Sequence, residues 1–405
     1  MNDVKILLAD HRADSFGPPV ALAEYLKKNC DDFSYVSLPL GFSKTPQFSI
    51  RHFISGTLKF NKTINYDIFD GYNWHGDAIS DIFREIMNLC RLTRFVFSTS
   101  KNKKFDIGIG IDPTTTFILL ILQKIGLIRY VAYGNYNDPM TQRSKKSVIN
   151  SIYKKITKFC LQHSNCVWYR WSNHKNVVHR LYGKFDEKQT FIVPIGLYRK
   201  FTREVNRPPK KLICSRHIAE YAGIHLIIQA LPDVVKIKPN IEFVVIGDGQ
   251  YLDTLKTMTK KLNLEHTVKF LGFMPHEKVL KKLSECDIGI ATYLPTHLRK
   301  TFEPNAEMEA LGGTTSTMEL LGAGMPIIAT RGMGISEAVE KRNAGIAIDY
   351  DVTQATNALL NILDEEKFPE MANNAVELSQ EYEYDSIYSK TLNSIIDDMN
   401  SPKSD

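Results

Sequence analysis

The stretch Thr314–Thr330, TTSTMELLGAGMPIIAT, carries the densest chemistry in the chain. Thr314, Thr315, Ser316 and Thr317 stand at the start of a short helical pattern, where Ser and Thr are favoured caps. Gly324 and Pro326 end that pattern. Unsatisfied N–H groups at such a helix start favour phosphate. Glu319, in the first turn or two, can accept hydrogen bonds from two adjacent ribose hydroxyls. The same residues also suit a capped helix packed on its sheet, with Glu319 serving the helix dipole.

The elements that must position these residues form an α/β pattern. Strand-like apolar runs alternate with helix-period segments along the whole chain, which implies parallel sheets. In the first half VKILLAD leads through SFGPP into ALAEYLKK, and FDIGIGID leads into TTTFILLILQKIG and IRYVAYG. After the polar, proline-containing segment REVNRPPKK the alternation restarts with KLICSR and continues to AGIAID. The expected division is a first Rossmann-like domain over residues 1–200, a second over 201–380, and a C-terminal helix and tail over 381–405, the helix crossing back to the first domain. In open sheets of this kind ligands sit beyond the carboxyl ends of the strands, which makes a cleft between two facing domains the expected site.

Length and composition agree with that division. The chain has 405 residues, 43% hydrophobic and 24% charged, enough apolar mass for two cores. Its net charge of +6 conceals an asymmetry: residues 1–200 balance to +13 and residues 201–405 to −7. Disordered, collagen-like and disulfide-scaffold classes are excluded by composition. The start MNDVKILLADHR is too short in apolar residues for a signal peptide, and FILLILQKIGLI, Phe117 to Ile128, is too short for a bilayer span. Six cysteines without paired spacing read as free thiols in a reducing compartment. The expected location is cytoplasmic, with the cytoplasmic membrane face left open.

Part of the first half's charge is clustered. On a helical projection Arg84, Arg91 and Arg94 share a face with Met87 and Phe95, and Lys154, Lys155 and Lys158 oppose an apolar side of a second helix. A basic amphipathic face with an exposed aromatic suits an anionic membrane surface. Solvated surface helices would read the same way. No recognition motif supports nucleic-acid binding.

The Thr314–Thr330 segment resembles the nucleotide-sugar site of the retaining GT-B glycosyltransferases, glycosyltransferase group 1 or family 4-like. IVPIGLYRKF, SRHIAEYAGIHLIIQAL, IGDGQYLDTLK, VKFLGFMPHEKVLKKLSECDIGIATY and GISEAVEKRNAGIAID follow in that family's order, covering Ile192 to Asp349. The first half resembles the family in its α/β pattern and in the SFGPP turn. The resemblance implies a GT-B architecture of two Rossmann-like domains. It implies transfer of a sugar from a nucleotide-diphosphate donor, with retained configuration, to a lipid-linked or polysaccharide acceptor in glycan biosynthesis.

By that resemblance Arg216 holds the donor diphosphate, as the planar guanidinium fork suits phosphate oxygens. Phe273 lines the base pocket, and Thr315, Ser316 and Thr317 face phosphates and sugar. Glu319 takes the ribose, and Gly17 of SFGPP meets the nucleotide sugar. GDG, Gly247 to Gly249, reads as a structural turn.

The departures are specific. The family's first glutamate falls at Leu311, with Glu303, Glu307 and Glu309 upstream. Its phosphate lysine falls at Ala222 and Gly223. Its first-domain His is missing from Tyr133–Pro139, where Asn135 and Asp138 are the polar candidates for a catalytic role. No DxD motif stands in a loop, and the resemblance implies neither metal nor other cofactor. It also implies that the leaving phosphate can help to deprotonate the acceptor, so that no strong protein base is required. Two rival readings follow from the departures: a non-catalytic homologue that binds a nucleotide sugar or a partner subunit, and a nucleotide-sugar epimerase.

Overall fold

A computed structural model describes residues 3–11, 18–38, 47–65, 78–99, 103–136, 148–183, 189–197, 208–295, 298 and 315–400. The chain divides into two units, Met1–Pro194 with Tyr388–Asp405, and Ile195–Ile387.

The first unit is built on an eight-stranded sheet. In chain order its elements are β1 (Lys5–Asp10), α1 (Pro18–Asn29), β2 (Asp32–Ser37), β3 (Gln47–Ile54), β4 (Thr57–Asn65), α2 (Ala78–Thr99) and β5 (Phe105–Gly110), then α3 (Pro113–Lys124), β6 (Ile128–Gly134), α4 (Val148–His163), β7 (Cys166–Tyr169), α5 (Ser172–Tyr182) and β8 (Thr190–Ile192). The strand order is β4-β3-β2-β1-β5-β6-β7-β8. β1 is buried at every residue, as expected of a central strand covered on both faces. Leu7, Val36, Phe105, Leu119 and Val131 share its core with Leu92 and Val96 of α2.

The sheet is not wholly parallel. β2, β3 and β4 pair antiparallel, and the alternation of apolar strands with helices gives no sign of this hairpin. Its local signal is Ser55–Gly56, both at positive φ, a two-residue turn suited to the twist of flanking antiparallel strands.

The second unit holds β9 (Lys211–Ser215), α6 (Ile224–Ile237), β10 (Glu242–Ile246), α7 (Leu252–Lys261), β11 (Val268–Gly272), α8 (His276–Ser284) and β12 (Ile288–Ala291). It continues with α9 (Thr315–Gly322), β13 (Ile327–Thr330), α10 (Gly334–Lys341), β14 (Gly345–Ile348), α11 (Val352–Ile362) and α12 (Phe368–Glu381). Its six strands are all parallel, in the order β11-β10-β9-β12-β13-β14. Leu212, Phe243, Ile288 and Ile328 of the sheet pack against Ile227 and Leu231 of α6 and Leu359 of α11.

The last helix, α13 (Tyr384–Asn400), begins in the second unit, and its residues from Tyr388 onward belong to the first. There the Tyr388 hydroxyl donates to the Pro18 carbonyl at 2.8 Å, and the Tyr130 hydroxyl donates to Asp398 Oδ2 at 2.8 Å. Arg129 Nη2 donates to the Met399 carbonyl at 2.8 Å.

Phe95, expected on the basic face of α2, is buried in the first unit's core. The exposed stripe of that helix instead carries Ile86, Cys90, Arg94 and Phe97, with Ile86 51% and Phe97 53% exposed. The side chains of Ile82 and Arg84 lie outside the described residues. On α4, Lys154 and Lys155 are exposed.

One buried group makes the first unit acid-sensitive. His174 of α5 is 1% exposed, and its Nδ1 accepts the Arg170 N–H at 3.2 Å. Burial, with the Arg170 charge adding to it, pushes its pKa down to about 3. The unfolded imidazole titrates near ~6.5, so between these values the unfolded chain binds a proton that the folded chain refuses. Stability is therefore full above ~6.5 and falls as the pH drops, by roughly 2 kcal/mol at pH ~5. Denaturant unfolding at pH 7 and pH 5 should show this loss in the wild type and a smaller one in His174→Asn. Equal losses in both would remove His174 from the account.

Candidate functional site

The second sheet changes winding direction between β9 and β12, which are neighbours although far apart in sequence. Ligands of open α/β sheets collect beyond the carboxyl ends of the strands at such a point. Arg216 follows β9 there. Its Nη1 donates to the Thr292 carbonyl at 2.9 Å, its Nη2 donates to the Ile290 carbonyl, and its guanidinium lies 4.5 Å from the centroid of the Tyr293 ring. The fork is thus fixed over the end of β12 before any ligand arrives. Its Nε is buried and has no hydrogen-bond partner among the described residues. That orphaned charged donor, together with the hydrogens not spent on the carbonyls, suits an anion.

The GDG turn supports Arg216 from beneath. Arg216 N–H donates to the Ile246 carbonyl at 3.0 Å and Ile218 N–H to the Asp248 carbonyl at 2.9 Å. A Cβ at Gly247 would lie 1.9 Å from the Arg216 carbonyl, so only glycine admits this approach.

Thr315, Ser316 and Thr317 form the first turn of α9, beginning exposed at Thr315 and fully buried at Thr317. Glu319, one turn further, is 20% exposed, and His276 Nε2 donates to its Oε1 at 2.6 Å. His276 opens α8 and stands three residues beyond Phe273. The loop after β11 and the helix after β12 are therefore tied through this hydrogen bond. The ring of Phe273 itself is 81% exposed. Sequence reasoning passed over His276, although a histidine in the first turn of a helix directly after the Phe273 loop was visible.

Ala222, where a second cation would stand, is fully buried in a one-turn 3-10 helix (Glu220–Ala222). In the first unit Asn135 follows β6 and is 1% exposed. Its N–H donates to the Trp168 carbonyl at 3.2 Å, and the Tyr133 hydroxyl donates to its Oδ1 at 3.4 Å. Gly17, Asp138, Leu311, Glu303, Glu307 and Glu309 lie outside the described residues.

Removal of the His276 imidazole leaves the Glu319 carboxylate less constrained. His276→Ala should weaken nucleotide binding by about 3- to 10-fold, the effect of one hydrogen bond to a charged group at a half-exposed position. Titration calorimetry with nucleoside diphosphates measures this, and unchanged affinity would show that the bond does not hold Glu319 for a ligand.

Residues 199–379 match the sequence model described as Glycosyl transferases group 1. The chain is 25% identical over 154 residues to a GDP-mannose-dependent monoacylated alpha-(1-6)-phosphatidylinositol monomannoside mannosyltransferase of Corynebacterium glutamicum, which is 38% of each chain. The chain thus spans well under half the length of the curated relatives it matches first. Among solved structures it is similar to Anabaena HepE in complex with UDP, with 13% identity, 97% of this chain and 100% of that one covered, and a TM-score of 0.63. It is likewise similar to the apo form of the lipopolysaccharide outer core galactosyltransferase WaaB, with 12% identity, 98% and 100% coverage and a TM-score of 0.63. The fold is that of the GT-B glycosyltransferases. The match to the Glycosyl transferases group 1 model lies within the second unit.

Proposed function

We propose that the protein transfers a sugar from a nucleotide-diphosphate donor, with retained anomeric configuration, to a lipid-linked or polysaccharide acceptor. The observation that carries the reading is Arg216. Its guanidinium is fixed at the β9/β12 switch point with a buried, orphaned Nε–H, where a departing diphosphate would gain most from a preorganised cation. Thr315, Ser316 and Thr317 would add helix-start donors for the phosphates and sugar, and Glu319 would accept from the ribose hydroxyls. Phe273 would close on the base, and Gly17 would, by the family resemblance, meet the nucleotide sugar. Asn135 and Asp138 are the polar candidates for a catalytic role. The positive charge comes from protein groups, so the reading calls for no metal and predicts activity in the presence of a chelator.

Anabaena HepE is bound to UDP, and the corynebacterial relative acts on a phosphatidylinositol mannoside with GDP-mannose. A nucleotide-sugar donor is in keeping with both, and a lipid-linked acceptor with the corynebacterial relative. The exposed α2 stripe of Ile86, Arg94 and Phe97 suits the acyl–headgroup boundary of an anionic membrane, where such an acceptor resides. No helix among the described residues is long and apolar enough to cross a membrane.

Incubation with a panel of nucleotide sugars, with and without lipid and glycan extracts, tests the reading through nucleoside diphosphate release. Release with one donor, stimulated by an extract, is the expected result, and the product's anomeric configuration by NMR tests retention. The buried Ala222 in place of a second cation favours the rival reading, a nucleotide-sugar-binding protein without transfer. Tight nucleotide binding with no release from any donor would decide for that rival.

A further inference from the structure

The ends of β9, β10 and β11 are joined across the carboxyl edge of the second sheet. Arg216 N–H donates to the Ile246 carbonyl at 3.0 Å, and Gly247 N–H donates to the Gly272 carbonyl at 2.9 Å. The chain leaves β9 as Arg216 and His217, β10 as the Gly247–Gly249 turn, and β11 as Phe273. The two side chains that follow β9 diverge. Arg216 turns to the end of β12, whereas His217 turns over the glycine turn at the end of β10. A Cβ at Gly249 would lie 2.8 Å from His217 Cε1 and 2.3 Å from the Ile218 carbonyl oxygen, so glycine makes room for the ring.

His217 Nε2 donates to Gln250 Oε1 at 3.1 Å. An amide oxygen only accepts, so Nε2 carries the hydrogen, and in the neutral ring Nδ1 keeps its lone pair. With its oxygen spent on the ring, the Gln250 amide has its N–H groups to offer. Both side chains are exposed. The pair therefore presents an acceptor and a donor side by side, with their roles fixed. Asp248 of the same turn is exposed, and its Oδ1 accepts the Gly249 N–H at 2.7 Å. Its negative charge disfavours phosphate at the end of β10 and leaves that place to an uncharged group.

The flanks of the pair give it a use. On one side stands the fixed guanidinium of Arg216, and on the other the ring of Phe273, 81% exposed. Neighbouring strands lie about 4.8 Å apart, so β9 and β11, with β10 between them, are separated by roughly 10 Å. A nucleotide with its diphosphate on Arg216 and its base against Phe273 crosses the end of β10, where His217 and Gln250 stand. Stacking on Phe273 would not discriminate, because every base has a face to stack. Discrimination falls to hydrogen-bonding groups beside the ring, since bases differ in the order of donors and acceptors along their edges.

We propose that His217 and Gln250 read the polar edge of the donor's nucleobase, His217 as acceptor through Nδ1 and Gln250 as donor through its amide. The proposal rests on the nucleotide-sugar reading and adds to it the choice of nucleotide. All of the residues involved lie in the second unit.

Titration calorimetry of the full chain with UDP, GDP, ADP, CDP and inorganic pyrophosphate tests this. The wild type should favour one base over the least favoured by about 10-fold or more. Gln250→Ala and His217→Ala should each lower affinity for the favoured nucleotide by about 3- to 10-fold, flatten the ranking and leave pyrophosphate within about twofold. Gln250→Glu separates base reading from support of the turn. It keeps an oxygen for His217 Nε2–H but replaces the N–H donor by a carboxylate, so affinity for the favoured nucleotide should fall further than in Gln250→Ala. Wild-type affinity in Gln250→Glu overturns the proposal, as it leaves the pair a structural role only. A ranking unchanged in both alanine variants overturns it too. Equal losses for pyrophosphate and every nucleotide also overturn it, because the pair would then act at the phosphate end. A wild type that binds all four nucleotides equally overturns this proposal alone, whereas one that binds none of them overturns the nucleotide-sugar reading with it.

Discussion

Arg216→Ala should cost about 10²- to 10³-fold in the rate of nucleoside diphosphate release, the loss seen when one preorganised donor to a developing charge is removed. The guanidinium spends two hydrogen bonds on the carbonyls at the end of β12 and stacks on Tyr293, so its position does not depend on the ligand. A charge held in place before the reaction needs no reorganisation as the diphosphate departs. Arg216→Lys keeps the charge but cannot bridge two carbonyls and present a third donor at once, so it should recover only part of the rate. The alanine variant also strands the Thr292 and Ile290 carbonyls, at about 1–3 kcal/mol of stability by denaturant unfolding. That makes the lysine variant the cleaner kinetic comparison. A release rate for Arg216→Ala within threefold of wild type would remove Arg216 from the diphosphate.

The second large effect is expected at Glu319. Glu319→Ala should weaken nucleotide-sugar affinity by about 10- to 100-fold, as hydrogen bonds to an ionised group contribute roughly 1.5–3 kcal/mol. Glu319→Gln keeps the shape and one acceptor oxygen, and should fall in between. Stability should barely move, because the carboxylate's partner His276 is half exposed and water can replace the lost bond. Calorimetry with a ribonucleotide and its 2′-deoxy and 3′-deoxy counterparts gives the discriminating comparison. The wild type should lose affinity when either hydroxyl is removed, and the alanine variant should not distinguish them. An alanine variant that still discriminates would place the ribose elsewhere.

The two sheets differ in how far they could be read from the chain. Every strand of the second unit is a short apolar run between helical segments, and its chemistry lies in contiguous motifs, so the order KLICSR to AGIAID translates directly into β9–β14. The first unit resisted because β3 interleaves buried with partly buried residues and β4 is exposed at almost every described residue, so neither forms a continuous apolar run. The exposed face of α2 resisted for a related reason. A projection sorts residues around a helix but does not say which side meets the sheet, and the side bearing Phe95 does.

The sequence by itself determined the alternating α/β plan, the helix start at Thr315–Thr317, the arginine after β9 and the glutamate of α9. Each is a local property of residue type and spacing. Tertiary structure alone decided that Arg216 grips the end of β12, that His276 reaches Glu319, and that His11 meets Asp112 across about a hundred residues of chain. His276 and Glu319 follow β11 and β12, which have β10 and β9 between them, whereas the other two pairs exist because parallel strands distant in sequence lie side by side at a switch point. The register that makes them neighbours is fixed by burial of both sheet faces, a property of the assembled sheet and of no single segment.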